Sequence, residues 1–461
     1  MAETGVNKVE WSPESWRGKP DGQAVAYPDA AALESALAKL RSLPPLVTSW
    51  EIERLRKLIG EAQEGTRFIL QGGDCAETLA DCRAELIASK LKILLQMSLV
   101  LVHGLKKPVV RVGRFAGQYA KPRSSPTETR GSETLPSYFG DLVNQAEFTA
   151  AARRPDPRML VRAYQHAAMT LNFIRSLVDG GFADLHHPEY WDLAFFERAT
   201  LPSGLRAEYE TMTRNLADGL KFMEALGERA VDDLTGVEFF TSHEGLNLLY
   251  ESAQTRKVPR REGFYDLTAH LPWVGDRTRA LDGAHVEFFR GVRNPVAVKL
   301  GGSAVPDEAV KLAEVLNPGN EAGKLVFITR VGAGNVERVL PGLIERVQRS
   351  GRRVLWMCDP MHGNTISTAS GLKTRSFDSI RSELEKTIDA HDGAGTRLGG
   401  VHFELTGEDV TECVGAGVTE AGLSTNYASA CDPRLNYQQS LELAFLLSRR
   451  MSKPLGAGWV K

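Results

Sequence analysis

Apolar positions along this chain follow two alternating rhythms. Short, nearly unbroken apolar runs recur at Phe68 to Gly73, Pro108 to Arg114, Val237 to Ser242, Leu271 to Gly275, Pro295 to Leu300, Leu325 to Arg330, Val354 to Cys358 and Gly400 to Thr406. Runs of this length, bounded by turn residues, read as strands buried on both faces, as parallel strands are. Between most of them the apolar residues step by three and four, as in Leu86 to Leu105 and in Val336, Val339, Leu340, Leu343, Ile344 and Val347, which predicts helices. Pro341 is expected to restart the latter helix, and a last helix is expected after Asn436. Strand and helix alternating eight times predicts an α/β fold, a (β/α)8 TIM barrel.

Two stretches break the alternation. Residues 1–66 read as an N-terminal helical extension, with helices over Ala31 to Leu40 and Ser49 to Ile59 parted by Pro44-Pro45. The barrel is then expected over 67–461, with a helical insertion after the second strand at about 145–235. Within that insertion, Leu160 to Val178 and the segment carrying Tyr209, Met212, Leu216, Leu220 and Met223 have helical spacing, and no strong strand appears between Gly117 and about Val237.

Composition narrows the function classes. A chain of 461 residues with 42% apolar and 25% charged residues reads as globular, and a net charge of -2 gives no bulk field favouring nucleic acid or an anionic membrane. With no apolar run of 18 and no signal-like start, a cytoplasmic protein with neither membrane nor nucleic-acid partner is expected. The five cysteines, without a CxxC pair, read as reduced thiols.

The candidate chemistry lies at strand ends. Cys75 follows the first strand, Arg114 ends the second, Asp276 and Arg277 follow the fourth, Lys299 and Arg330 end the fifth and sixth, His362 follows the seventh, and Glu404 ends the eighth. In a barrel these C-terminal ends converge on one rim, where catalytic residues gather. Cys75, His362, Glu404 and Asp432 offer a thiolate, an imidazole and two carboxylates, a mixed set suited to Mn, Fe, Co or Zn rather than Mg. Arg114, Arg277, Lys299 and Arg330, joined by Lys121 and Arg123, form a cationic cluster that suits phosphates and carboxylates. Cys431 adjoins Asp432, which predicts that Cys75 and Cys431 can pair as a disulfide when no metal is bound.

The motifs QGGDCAET, GRFAGQYAKPRS, WVGDRTRALDGAH, DPMHGNT, HFELTGEDVTEC and CDPRLN resemble those of type II 3-deoxy-D-arabino-heptulosonate 7-phosphate synthases, in the family's order and from about residue 45 to the C-terminus. The resemblance implies condensation of phosphoenolpyruvate with erythrose 4-phosphate, the first step of the shikimate pathway, with a divalent metal: Mn2+ first, Co2+, Fe2+ or Zn2+ as alternatives. It implies metal ligation by Cys75, His362, Glu404 and Asp432, with phosphoenolpyruvate held by Arg114, Arg277, Lys299 and Arg330 beside Asp276. Erythrose 4-phosphate would be held by Lys121, Arg123 and Ser124. Lys299 and Asp276 are the expected catalytic pair. A homo-oligomer, dimer or tetramer, and a chorismate mutase partner are also implied.

Three positions depart from the family pattern: Phe139 where an arginine is usual, Asp276 for glutamate, and Gly302 for proline. They leave open a variant specialised for an altered aldose phosphate, a catalytically weak regulatory partner, or another metal-dependent lyase on the same barrel.

Overall fold

A computed structural model describes residues 10–180, 204–214, 238–429 and 431–452. Eight strands form one all-parallel sheet: β1 (Phe68–Gly73), β2 (Val109–Arg114), β3 (Phe239–Thr241), β4 (Trp273–Val274), β5 (Val296–Gly301), β6 (Leu325–Arg330), β7 (Leu355–Cys358) and β8 (Gly400–Glu404). Their order is β3-β2-β1-β8-β7-β6-β5-β4. The two end strands meet through a parallel bridge between Glu244 and Trp273, which closes the ring. The fold is thus the (β/α)8 barrel that the alternating pattern predicts.

The principal helices, in chain order, are α1 (Ala30–Ser42), α2 (Ser49–Gln63), α3 (Ala84–Leu105), α4 (Arg158–Asp179), α5 (Leu248–Gln254), α6 (Ala284–Phe289), α7 (Pro306–Leu316), α8 (Val336–Arg349), α9 (Phe377–Gly393) and α10 (Tyr437–Met451). All but α1, α2 and α4 directly follow a barrel strand. The 22-residue α3 is apolar enough to cross a membrane by length and composition, yet 78% of its most apolar window is buried. It packs against α10 in a cluster with Leu94, Leu101, Leu441 and Phe445. Residues 204–214 are helical, as their spacing predicts. Residues 181–203 and 215–237, with Leu216, Leu220, Met223 and Val237, lie outside the described residues.

The period of two along a strand separates floor from rim. Val110 and Val112, Val326 and Ile328, and Ala297 share one apolar interior cluster, while the next residues of the same parity are Arg114, Arg330 and Lys299. Hydrophobic side chains therefore fill the lower layers, and the polar groups emerge at the top. Leu55, Leu58, Ile59 and Ala62 of α2 belong to the same interior cluster and cap the barrel floor. A capping box, with Thr48 and Glu51 each accepting from the other's backbone, starts α2.

Three details differ from the sequence reading. Helix α8 runs unbroken through Pro341 instead of restarting, because the missing N–H frees only the carbonyl of Glu337, which is exposed. Strand β4 is two residues long rather than five. The interval after β2 also carries an antiparallel hairpin, Thr127–Arg130 with Glu133–Pro136. Its residues are mostly polar and exposed, so no apolar run announces it.

Candidate active site at the C-terminal rim

Four side chains converge first. One ligand atom each from Cys75, His362, Glu404 and Asp432 lies within 4.8 Å of the others. Cys75 stands two residues beyond β1, His362 in the turn after β7, Glu404 at the end of β8, and Asp432 in the loop before α10. Register brings the first and third together, since Gly73 pairs with Glu404 across β1 and β8.

Each donor is braced. His362 Nδ1 meets Asp359 Oδ2 at 2.7 Å, while its Nε2 lies 2.8 Å from Glu404 Oε1. A carboxylate behind an imidazole fixes the ring so that the other nitrogen faces the shared centre, as around metal-ligating histidines. Glu404 also receives Arg114 Nη2 at 2.9 Å and Arg375 Nη1 at 2.6 Å. Burial alone would raise its pKa, but His362, Arg375 and Arg114 hold the Glu404 carboxyl well below the usual range. Burial, Cys431 and the carboxylates Glu404 and Asp432 push the Cys75 thiol well up. The Cys75 and Cys431 sulfurs are 2.8 Å apart and unbonded. A buried centre with these donors, one imidazole already oriented, fits a divalent transition metal.

A cavity of about 320 Å3 opens above this centre, lined by Cys75, His362 and Asp432 together with Arg114, Lys121, Arg123, Ser124, Asp276, Arg277, Lys299 and Arg330. Every residue expected to bind metal or substrate except the fully buried Glu404 lines it. The cations fall into two groups. Lys299 and Arg114, buried, and Arg330, half-buried, are paired: Lys299 Nζ with Asp359 at 2.8 Å, Arg114 with Glu404, and Arg330 Nη1 with Asp276 Oδ2 at 2.9 Å. Nε of Arg114 and of Arg330 remains buried without a hydrogen-bond partner among the described residues. Burial, reinforced by Arg114 against the opposing Asp359, lowers the Lys299 pKa. Arg277 and Ser124 are exposed, and Arg123 is half-buried beside Lys121.

The departures acquire positions. Asp276 accepts from Arg330, from Arg279 Nε at 3.0 Å and from the Gly301 N–H at 2.9 Å. Phe139 turns away from the cavity into an apolar cluster with Val25, Tyr27 and Leu33. Gly302 is exposed, and a Cβ there would approach the Val331 carbonyl only to 3.4 Å. His402 lies outside the cavity lining: its Nε2 is 2.7 Å from Arg114 Nη1 and its Nδ1 is 2.8 Å from Gln71 Oε1.

Several site residues carried no sequence signal. Lys373, on a polar hairpin (Thr365–Ser367 with Lys373–Arg375), reaches Asp432 Oδ1 at 2.7 Å. Arg375 follows it, fully buried, and also donates to the Pro433 carbonyl. Trp273 sits under Arg114 and Lys299, with its ring centroid 5.2 and 5.5 Å from their charges. Glu244 and Gln118 complete the wall. Asp359 could have been found: it lies three residues before His362, where a turn brings the two together.

Fold and site define a class: a (β/α)8 barrel whose rim sets a cationic cavity for small anionic molecules against a cluster of four potential metal donors. The chain belongs to the class-II DAHP synthetase family, whose model matches residues 11–448. It is 47% identical over 464 residues to the phospho-2-dehydro-3-deoxyheptonate aldolase of Neurospora crassa, covering 97% of this chain and 95% of that protein. The enzyme of the same name from Streptomyces coelicolor is 49% identical over 436 residues, covering 94% and 96%. The one from Mycolicibacterium smegmatis is 45% identical over 446 residues, covering 95% and 94%.

Proposed function

We propose that the protein condenses phosphoenolpyruvate with D-erythrose 4-phosphate and water to give 3-deoxy-D-arabino-heptulosonate 7-phosphate and phosphate, the first step of the shikimate pathway. The observation that carries this reading is one cavity at which three of the four clustered donors, Cys75, His362 and Asp432, meet the arginines and lysines singled out from the sequence. Cys75, His362, Glu404 and Asp432 would hold a divalent metal, Mn2+ first and Co2+, Fe2+ or Zn2+ otherwise, which supplies Lewis-acid polarisation of the aldehyde oxygen.

The chain's own residues do the rest. Arg114, Lys299 and Arg330 bind the carboxylate and phosphate of phosphoenolpyruvate, whose oxygens satisfy the unpartnered Nε atoms of the two arginines. Asp276 holds Arg330 in place, and Arg277 closes the same group from the mouth. Lys121, Arg123 and Ser124 take the phosphate of the aldose. So arranged, C3 of phosphoenolpyruvate attacks the aldehyde carbon and forms the C–C bond. Water adds at the electron-poor C2, and phosphate leaves by C–O cleavage. Lys299, set between Asp359 and His362, handles the proton that the new alkoxide requires. Holding both substrates in register contributes on the order of 7–11 kcal/mol to lowering the barrier.

The alternatives that rest on Phe139 and Asp276 lose their support, because Phe139 faces away from the cavity and Asp276 keeps its arginine. Phosphorylated substrates, which do not cross membranes unaided, support a cytoplasmic location. Exposed Trp50 and Met169, 74% and 52% accessible, offer apolar surface for a dimer or tetramer and for a chorismate mutase partner. Purified protein given both substrates and Mn2+ should release phosphate only when all three are present. Release that is absent, or indifferent to erythrose 4-phosphate, overturns the proposal.

A further inference from the structure

The chain before α1 crosses the rim beside the cavity. Residues 10–27 form an arm pinned along its length: Trp11 Nε1 donates to the Glu287 carbonyl at 2.9 Å, the Ala284 N–H donates to the Pro20 carbonyl at 2.9 Å, and Asn247 Nδ2 donates to the Tyr27 hydroxyl at 3.1 Å. Trp16, buried, packs in the cluster of α6 and α7. Between these pins, Asp21 Oδ1 accepts from the Gln23 N–H at 2.9 Å and turns the arm back toward the barrel.

Gln23 then makes a two-point contact with one residue of the site. Its Oε1 accepts from the Arg123 N–H at 2.8 Å, and its Nε2 donates to the Arg123 carbonyl at 3.0 Å. Arg123 lies in irregular chain between β2 and the exposed hairpin, where no sheet or helix fixes its backbone. Among the described residues, its N–H and C=O have no other partner than Gln23, and its guanidinium, lining the cavity, has no protein carboxylate to hold it. One carboxamide therefore does for Arg123 what a neighbouring strand does for a residue in a sheet. The adjoining Lys121 is tied to the same arm less directly. Its N–H donates to the Phe139 carbonyl at 2.8 Å, and Phe139 packs against the same apolar cluster as Val25 and Leu33.

We infer that Gln23 is a positioning residue for the aldose-phosphate half of the site: the arm fixes the backbone from which Arg123 reaches the anion, while Arg114, Lys299 and Arg330 stand on barrel strands and need no such support. The inference rests on the proposed reaction for the identity of the anion, but not for the contact itself. It also gives a role to Phe139, as the apolar seat of the arm. A flexible side chain aimed from an unfixed backbone samples many positions, and a misplacement of about 1 Å in a positioning group can cost on the order of a hundredfold in rate.

The test compares Gln23→Met, which keeps the bulk and removes both hydrogen bonds, with Gln23→Ala. Both should raise KM for erythrose 4-phosphate by roughly tenfold, the worth of about two net hydrogen bonds, and leave KM for phosphoenolpyruvate within about twofold. The melting temperature should move by no more than about 2 °C. Amide exchange at Arg123, slow in the unsubstituted protein, should accelerate in both variants. Unchanged KM values, or both KM values rising together with a fall in melting temperature, overturn the inference; so does unaltered exchange at Arg123. Should the unsubstituted protein show no turnover, the proposed reaction falls, and inorganic phosphate becomes the probe. Weaker phosphate binding by Gln23→Met than by the unsubstituted protein then upholds the positioning role, and equal binding overturns it.

Discussion

Asp276 is one methylene shorter than the glutamate of the family pattern, and the geometry shows how a short carboxylate serves. It spans Arg330, Arg279 and the Gly301 N–H, and a Cβ at Gly301 would lie 2.4 Å from Asp276 Oδ2 and push the carboxylate aside. Asp276→Asn keeps the shape but removes the charge facing Arg330, and should raise KM for phosphoenolpyruvate about tenfold or more in steady-state assays. Lys299→Met should lower kcat by roughly a hundredfold or more while the folded content by circular dichroism stays unchanged. For the thiols, the 2.8 Å between Cys75 and Cys431 predicts that air, with dioxygen as oxidant, removes two titratable thiols after chelation. Cys431→Ser should abolish that loss, and Mn2+ should slow it. Cys75, His362, Glu404 and the cations Arg114, Arg277, Lys299 and Arg330 were legible because each stands at or just past an apolar run that announces a strand end, whereas Asp432, Lys121 and Arg123 lie farther along their loops and were legible only from the motifs that hold them. Lys373 and Arg375 were not, for their hairpin is short, polar and partly exposed, and Arg375 is buried by tertiary contacts alone.

Elements behind the rim hold its loops in place. Glu383, on α9, accepts from the Gly332 N–H at 2.9 Å and from Asn364 Nδ2 at 2.7 Å, bracing the loops that follow Arg330 and His362. Burial lifts its pKa from 4.5 to about 7 against the pull of those donors. A carboxyl raised in the folded state stabilises fully below its unfolded value, about 4.5, and that contribution of about 3 kcal/mol is lost as pH rises through 7. Glu383→Gln, which stays neutral, should therefore flatten the fall in melting temperature between pH 4.5 and 7.5. Such braces escape sequence reading, since Glu383 looks like any polar residue on an amphipathic helix until α9 is placed against the loops of β6 and β7. The strands β1, β2 and β5 to β8 were legible to within about two residues from their apolar runs. Strands β3 and β4 fall inside their predicted runs but are shorter at both ends, because a ring stays closed with two or three paired residues where loops carry the remaining hydrogen bonds.

At the scale of the molecule, the segment before the barrel is part of its interior. Leu55, Leu58, Ile59 and Ala62 of α2 close the floor beneath the same cluster whose upper neighbours are Lys299, Arg114 and Arg330. Leu58→Ala should cost about 2–5 kcal/mol in urea unfolding, and a chain begun at residue 67 should fail to accumulate as folded protein. A sequence shows α2 as an amphipathic helix but not which apolar face it will cover, which is why it reads as an appendage. One joint in the ring stands apart. Between Thr241 and Trp273 the staves of the cask share no ladder of paired residues, only the bridge at Glu244 with backbone bonds of 3.0 Å on either side and the His270 and Leu271 N–H groups donating to the Thr241 carbonyl. A hoop springs first where it is thinnest. Warming should loosen residues 243–245 before any other stave parts, so the enzyme should lose its hold on phosphoenolpyruvate at temperatures where its helices are still intact.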